Sequence, residues 1–242
     1  MNYKNNNFYI ENIKAENLIK QYGSPIYCYS KRRLVENINN FKNSFKSFSP
    51  LICFSVKSNY NSTILRIIKE HGLGADVVSD GELRKVLSLG FKPNKIVYSG
   101  VGKKFEELKF AIKKNILLIN VESESELKNI QKLAEKLRKR VSVGLRLNPN
   151  IDAKTNTKIS TGRMQDKFGL NNSDIIKILN KFRNSKNIKI KCLSVHIGSQ
   201  IMQNRPYNNV LVALNKILSK SKYKFEYIDL GGGMGIKYVN DD

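Results

Sequence analysis

The sequence has no apolar stretch that approaches the roughly 18 residues of a membrane-spanning helix. Its first seven residues are polar and carry no signal-like apolar segment. Apolar residues make up 40% of the 242 residues and charged residues 26%, which is ordinary for a soluble protein with one sizeable core. We therefore expect a soluble chain with no membrane partner.

Cysteine is scarce as well. The three cysteines, Cys28, Cys53 and Cys192, lie in apolar, strand-like runs. An odd number without metal-type spacing argues against a disulfide framework and against a zinc site. We interpret them as buried thiols of a cytoplasmic protein and expect no metal.

Acidic residues are few: 20 Asp and Glu face 43 Lys and Arg, for a net charge of +23. Such an excess can indicate nucleic-acid binding. Here, however, the lysines between residues 103 and 139 alternate with apolar residues, as on the solvent faces of helices. Without a localised basic block or a zinc-finger or ribonucleoprotein motif, the charge predicts no nucleic-acid partner.

Apolar, β-branched runs alternate with segments of helical period. The runs are nearly continuous, which is typical of parallel strands covered on both faces. They are Leu51–Val56, Ala75–Val78, Ile96–Val101, Ile116–Val121, Val141–Leu147, Ile188–Ile197 and Phe225–Leu230.

The segments between the runs show helix signals. Leu127, Ile130, Leu133, Ala134 and Leu137 share one helical face. Ser79 with Glu82, and Ser123 with Glu126, match the capping box Ser-x-x-Glu that opens a helix. Repeated strand and helix predict parallel βαβ units, which leaves an open doubly wound sheet or a closed barrel.

Two parts of the chain break this alternation. Residues 148–169 form a long polar stretch without periodicity, and a loop of that length is usually functional or disordered. Residues 1–30 contain a predicted short helix, Ala15–Tyr22, and a strand-like segment, Ile26–Tyr29, that has no place in the βα series.

In a parallel βα protein the chemistry gathers at the carboxyl ends of the strands. Lys57 follows the first run within Phe54-Ser55-Val56-Lys57-Ser58-Asn59. A single lysine that follows a strand is usually just a solvent-exposed residue at the strand end. One that is partly desolvated at a strand mouth can form a Schiff base with a carbonyl compound.

His196 is one of only two histidines and ends the sixth run. A lone histidine on a strand is often a core residue, but Gly198, Ser199 and Gln200 follow and favour a site at the strand end. We interpret His71, at the end of a helix, as structural.

A glycine run, Gly231-Gly232-Gly233-Met234-Gly235, follows the seventh strand. It does not match the dinucleotide fingerprint, which follows the first strand. Loops after the seventh and eighth strands of barrels commonly bind phosphate through backbone amides. A lysine for an imine, a histidine and a phosphate loop together suggest pyridoxal 5'-phosphate as the cofactor.

At this point the chain resembles a known family, the alanine-racemase-like barrel enzymes that decarboxylate basic amino acids, and within it the branch acting on diaminopimelate. The motifs occur in order over nearly the whole chain. They are Tyr22–Tyr27, Val56–Asn59, Gly74–Leu83, Tyr98–Lys103, Asn120–Ser123, Arg146–Pro149, Ile159–Gly162, Lys167–Gly169, His196–Gln200 and Asp229–Gly233.

The resemblance implies roles for several residues. Lys57 is similar to the lysine that holds the cofactor as an imine, and His196 to the ring stacked on its pyridine face. Ser199 and Gly231, Gly232 and Gly233 resemble phosphate contacts. Asp76, Glu82 and Arg146 resemble supporting groups around the cofactor. The implied reaction is loss of carbon dioxide from the D-configured centre of meso-2,6-diaminopimelate to give L-lysine.

The resemblance also implies a fold, a (β/α)8 TIM-type barrel with a C-terminal β-domain, and a homodimer with shared active sites. The sequence ends at Asp242, before the family's Glu-Pro-Gly-Arg strand, whose acid pairs with the pyridine nitrogen, and before the β-domain with its catalytic cysteine. We therefore expect about seven of eight barrel strands in residues 31–242. Residues 1–30 would form an N-terminal segment whose strand pairs with the missing β-domain. We expect the truncated chain alone to be inactive.

Two alternatives stay open. A sister decarboxylase would act on ornithine, arginine or carboxynorspermidine, although Ile197–Gln200 and the loop motif Ser160–Gly162 with Lys167–Gly169 favour diaminopimelate. A non-catalytic, cofactor-binding partial barrel is the other. Many relatives carry histidine where this chain has Asn156, which leaves the role of the 148–169 loop open.

Overall fold

The computed structural model describes residues 2–153, 161–163, 166 and 168–238. Its N-terminal part is a small antiparallel sheet of β1 (Asn2–Lys4), β2 (Asn7–Ile10) and β3 (Ile13–Lys14), followed by α1 (Ala15–Tyr22). The predicted helix Ala15–Tyr22 is thus confirmed. Ile26–Tyr29 differs from the strand-like prediction: within the described part no strand lies beside it to pair with its backbone, and Tyr27 is 94% exposed.

Within the residues described, the main sheet contains seven strands, and every neighbouring pair is parallel. They are β4 (Cys53–Ser55), β5 (Gly74–Val77), β6 (Ile96–Tyr98), β7 (Leu118–Val121), β8 (Val141–Leu147), β9 (Ile188–Val195) and β10 (Tyr227–Asp229). Each lies within one apolar run or extends it by one residue, so the seven predicted strands are confirmed.

The spatial order of these strands follows the chain order from β4 to β10. A doubly wound sheet would reverse its order at a switch point, whereas a barrel adds each strand beside the last. The topology therefore decides for the barrel-type arrangement and brings the carboxyl ends of all seven strands to one rim.

In the part of the chain that the structure describes, seven helices flank the sheet. They are α2 (Lys31–Ser44), α3 (Ser62–Glu70), α4 (Asp80–Ser88), α5 (Phe105–Lys114), α6 (Glu124–Lys136), α7 (Asn172–Phe182) and α8 (Arg205–Ser221). In α6 the predicted face is buried at Leu127, Ile130, Leu133 and Ala134, while Leu137 caps the helix and is half-buried. The core therefore lies between the apolar strands and these helix faces.

Both predicted capping boxes form, but each glutamate carboxylate bonds to a different amide from the serine amide of the standard motif. The hydroxyls of Ser79 and Ser123 accept hydrogen bonds from the Glu82 and Glu126 amides. Each glutamate carboxylate accepts from the amide one residue before the serine, at Val78 and at Glu122, both at 2.8 Å. The carboxylates therefore hold the ends of β5 and β7 onto the helices that follow.

Among the described residues, no helix is both long enough and apolar enough to cross a membrane.

Candidate active site

Lys57 lies in a single 3-10 turn, Val56–Ser58, directly after β4. The turn is closed by a hydrogen bond from Ser58 Oγ to the Ser55 carbonyl at 2.6 Å. The lysine is exposed at the rim. Its positive charge opposes the rise that burial causes in the pKa of Asp76 and adds to the fall that burial causes in the pKa of His196. Lys57 therefore lies at the same rim as these two residues, close enough for its charge to act on both.

Asp76 lies on β5 and receives hydrogen bonds from the hydroxyls of Ser99 at 2.6 Å and Ser55 at 3.5 Å. Burial raises the pKa of Asp76 to about 6, and the Ser99 hydrogen bond opposes this shift only in part. The carboxyl group therefore changes its charge close to neutral pH. Glu82, predicted with Asp76 as a supporting group around the cofactor, is the helix-capping carboxylate, and its negative charge makes a minor contribution to the raised pKa of Asp76.

A polar network continues from Asp76 across the carboxyl ends of the strands. The Asn120 amide on β7 donates to Ser99 Oγ at 3.2 Å and to Asp229 Oδ2 at 3.5 Å. Asp229 in turn accepts from the Gly231 amide at 2.8 Å, and burial raises its pKa. Asn120 and Asp229 lie within quoted motifs, but sequence reasoning gave them no role. The sequence signal that could have identified them is a polar side chain, Asn120 or Asp229, inside an otherwise apolar strand.

Arg146 on β8 is held by a buried ion pair. Its Nη1 lies 2.6 Å from Glu122 Oε1, and the two side chains are 10% and 5% exposed. Glu122 Oε2 accepts from the Gly169 amide at 2.9 Å, and the Phe168 ring lies 4.7 Å from the guanidinium carbon. Glu122 was seen only as a strand-end residue, yet it joins the predicted Arg146 to the end of the 148–169 loop.

His196 follows β9 directly and is half-buried. Burial, together with the positive charges of Arg146 and Lys57, lowers its pKa to about 4. The imidazole is therefore neutral near pH 7, and its Nδ1 accepts a hydrogen bond from the Gly232 amide at 3.3 Å. A neutral ring whose Nδ1 accepts carries its proton on Nε2.

The glycine run packs against the loop that carries Ser199. The Ile201 amide donates to the Gly233 carbonyl at 2.9 Å, and the Gly235 amide donates to Ile201 at 3.0 Å. Gly231 and Gly233 have φ angles of 70° and 86°, and a Cβ on Gly233 would lie 1.8 Å from the Gly198 oxygen. Only glycine fits there. The rim thus offers main chain without side chains, beside an exposed Ser199.

Described residues of the 148–169 loop are bonded to one another and to the residue that follows β9. The Asn148 amide donates to the carbonyls of Arg163 at 2.9 Å and Phe168 at 3.0 Å. Thr161 Oγ1 donates to the His196 carbonyl at 2.9 Å. Asn156, Lys167 and the segment 159–160 of the predicted motifs lie outside the described residues.

This arrangement fits pyridoxal phosphate. An accessible amine, a neutral aromatic ring and a side-chain-free loop lie along one rim, which are the parts needed for an aldehyde, a pyridine ring and a phosphate group. Lys103, another lysine in the motifs of the resemblance, has a buried side chain whose Nζ is bonded to three oxygens, so it is not available to an aldehyde.

Comparison with known proteins agrees with this geometry. The chain is 36% identical to diaminopimelate decarboxylase of Aquifex aeolicus over 245 residues, covering 100% of this chain and 58% of that protein. It is 38% identical to the Haemophilus influenzae enzyme of the same name, covering 99% and 58%. The chain therefore spans about 58% of the length of these relatives.

Solved structures give the same result. The diaminopimelate decarboxylase of Helicobacter pylori, complexed with L-lysine, superimposes with a TM-score of 0.90 at 36% identity, covering 94% of this chain and 59% of that chain. This likeness confirms the predicted barrel class. Residues 31–242 match the family "Pyridoxal-dependent decarboxylase, pyridoxal binding domain". The chain therefore belongs to the pyridoxal-dependent decarboxylases.

Proposed function

We propose that this chain forms the cofactor site of a pyridoxal-phosphate-dependent decarboxylase that converts meso-2,6-diaminopimelate to L-lysine. The observation that carries the proposal is the meeting of Lys57, His196 and the glycine run at one rim of a pyridoxal binding domain. The names of the relatives support the substrate, as does L-lysine, the expected product, in a solved structure of the Helicobacter pylori enzyme.

Different residues of the rim would bind different parts of the cofactor. Lys57 would bind its aldehyde carbon covalently, and Ser199 with Gly231, Gly232 and Gly233 would hold its phosphate. When bound, the pyridoxal ring supplies the electron sink for the electron pair left at Cα after carbon dioxide departs. His196 would pack against that ring, and its low pKa keeps it neutral, so that it adds no second cation beside Arg146.

The remaining predicted residues would act around this centre. Asp76 exchanges a proton at its carboxyl oxygens near neutral pH and attracts the Lys57 ammonium when it is ionised. Arg146 is fixed by Glu122 and reaches the His196 carbonyl at 3.4 Å, which orients the strand end that carries the ring. Glu82 holds the end of β5 and thereby the backbone that follows Asp76.

We further propose that residues 1–30 are an N-terminal segment beside the 31–242 barrel domain, a boundary that coincides with the start of the family match. The segment is attached through Glu11, which accepts hydrogen bonds from Ser30 Oγ and the Arg32 amide. The family resemblance supports a homodimer with shared sites. A cytoplasmic location is supported by the cysteines Cys28, Cys53 and Cys192, all of which are free thiols.

The substrate is tested by assaying carbon dioxide release from meso-diaminopimelate, ornithine and arginine. The assay uses residues 1–242 alone and residues 1–242 fused to the remaining part of the Helicobacter pylori enzyme. We expect the fusion to act on meso-diaminopimelate only. Lys57→Ala should abolish release, and Lys113→Ala, an exposed lysine of α5, should leave it unchanged. Release from ornithine or arginine instead would favour a sister enzyme, and cofactor binding without any release would favour a non-catalytic protein.

A further inference from the structure

Lys103 is a buried cation that no part of the proposed chemistry uses. Its side chain is 1% exposed, and its Nζ donates to the carbonyls of Gly100 at 2.6 Å and Asn120 at 2.7 Å and to Glu126 Oε1 at 2.8 Å. An ammonium has three protons to donate, so all three are used. A buried charge with a complete set of partners holds its surroundings in one geometry.

The three acceptors belong to different parts of the rim. Gly100 lies in the loop after β6, Asn120 lies on β7, and Glu126 is in the first turn of α6. The second oxygen of Glu126 accepts from the Glu122 amide at 2.8 Å. Lys103 and Glu126 together therefore fix the main chain at Asn120 and at Glu122.

These two positions carry the polar contacts of the site. The Asn120 side chain joins Ser99 to Asp229, and Ser99 holds Asp76. The Glu122 side chain binds Arg146 and the Gly169 amide. A shift of the main chain between 120 and 122 would move both sets of contacts at once.

We propose that Lys103 and Glu126 are a positioning pair for the cofactor site, acting through Asn120 and Glu122 without touching the cofactor. The idea rests on the proposed function, because it assigns the geometry of the rim to cofactor binding. It also accounts for a buried charged pair where apolar side chains would often be no less stable.

The chain offers a matched control at the opposite rim. Lys139 Nζ also donates to three oxygens: the carbonyls of Ile112 at 3.3 Å and Lys113 at 3.1 Å, and Asn115 Oδ1 at 2.7 Å. It precedes β8 at the amino end of the sheet, away from the site. Lys139→Met therefore removes similar bonds and should affect stability alone.

The experiment compares Lys103→Met, Glu126→Gln and Lys139→Met in the full 242-residue chain. Hydrogen exchange of the Glu122 and Gly169 amides, measured without cofactor, reports whether their hydrogen bonds at the rim are intact. Titration with pyridoxal phosphate, followed by absorbance of the lysine-bound form, reports binding. Glu126→Gln keeps the shape of the side chain and serves if Lys103→Met does not fold.

We expect Lys103→Met to speed exchange at both amides and to weaken cofactor binding at least about tenfold, equivalent to about 1.4 kcal/mol. Glu126→Gln should act in the same direction, and Lys139→Met should leave binding within about twofold. Unchanged exchange, or equal loss of binding in Lys103→Met and Lys139→Met, would overturn the proposal. A different outcome is that the unmodified chain forms no lysine-bound cofactor while Lys103→Met still speeds hydrogen exchange at the Glu122 and Gly169 amides. In that case the link between Lys103 and the rim would stand, and the proposed function would fail.

Discussion

Arg146→Met should be among the most damaging single changes at the rim, because it leaves the Glu122 carboxylate buried without its cation. Among the residues that the structure describes, the Gly169 amide would remain as the partner of the Glu122 carboxylate. Removing one member of a buried ion pair costs about 3–5 kcal/mol. For a chain of this size each 1 kcal/mol lowers the melting temperature by about 2–4 °C, so we expect a fall of roughly 6–20 °C.

The assay is thermal unfolding without cofactor, so that lost binding does not contribute. The control is Arg84→Met: this guanidinium lies 2.6 Å from Asp80 but is 59% exposed, and an exposed pair contributes about 1 kcal/mol or less. The double variant Glu122→Gln with Arg146→Met should recover part of the loss, because a neutral amide can still accept from Gly169. Equal melting temperatures for Arg146→Met and Arg84→Met, or no recovery in the double variant, would refute the reasoning.

Three further predictions concern single residues. The folded-state pKa of Asp76 is raised from 3.8 to about 6, so the contribution of this group to stability is complete below pH 3.8 and is lost as the pH rises through about 6. In urea unfolding, Asp76→Asn should remove part of the fall in midpoint over this pH range. A midpoint profile identical to that of the unmodified chain would contradict the assigned pKa shift. Gly233→Ala should weaken pyridoxal phosphate binding at least about tenfold, because its Cβ would meet the Gly198 oxygen; near-normal affinity in the titration would show that the loop can move aside. In the active fusion, His196→Ala should lower kcat more than cofactor affinity, and an unchanged kcat would return the residue to a structural role.

The sequence predicted the parts of the fold that depend on local pattern. Near-continuous apolar runs identified all seven parallel strands, since burial on both faces leaves no polar alternation. The Ser-x-x-Glu spacing identified the starts of α4 and α6, because the residues that cap a helix lie within one turn. The choice between a barrel and a doubly wound sheet required the spatial order of strands, which no local pattern contains.

The site was predicted unevenly for the same reason. Lys57, His196 and the glycine run follow strands directly, so their meeting at one rim follows from parallel topology. The link from Asn120 to Asp229 joins positions 109 residues apart and depends on side-chain directions inside the sheet. Ile26–Tyr29 has a strand-like pattern but forms no strand in the structure. A strand needs a neighbouring strand to pair with, and the local sequence does not show whether one is present.

The central claim is that Lys57 is the residue that binds pyridoxal phosphate. The most direct measurement is borohydride reduction of the cofactor-loaded chain, followed by proteolysis and mass mapping of the pyridoxyl group. The account predicts one label, on Lys57, and none on the buried Lys103. A label on Lys103, or on Lys154 while Lys57 stays free, would contradict it.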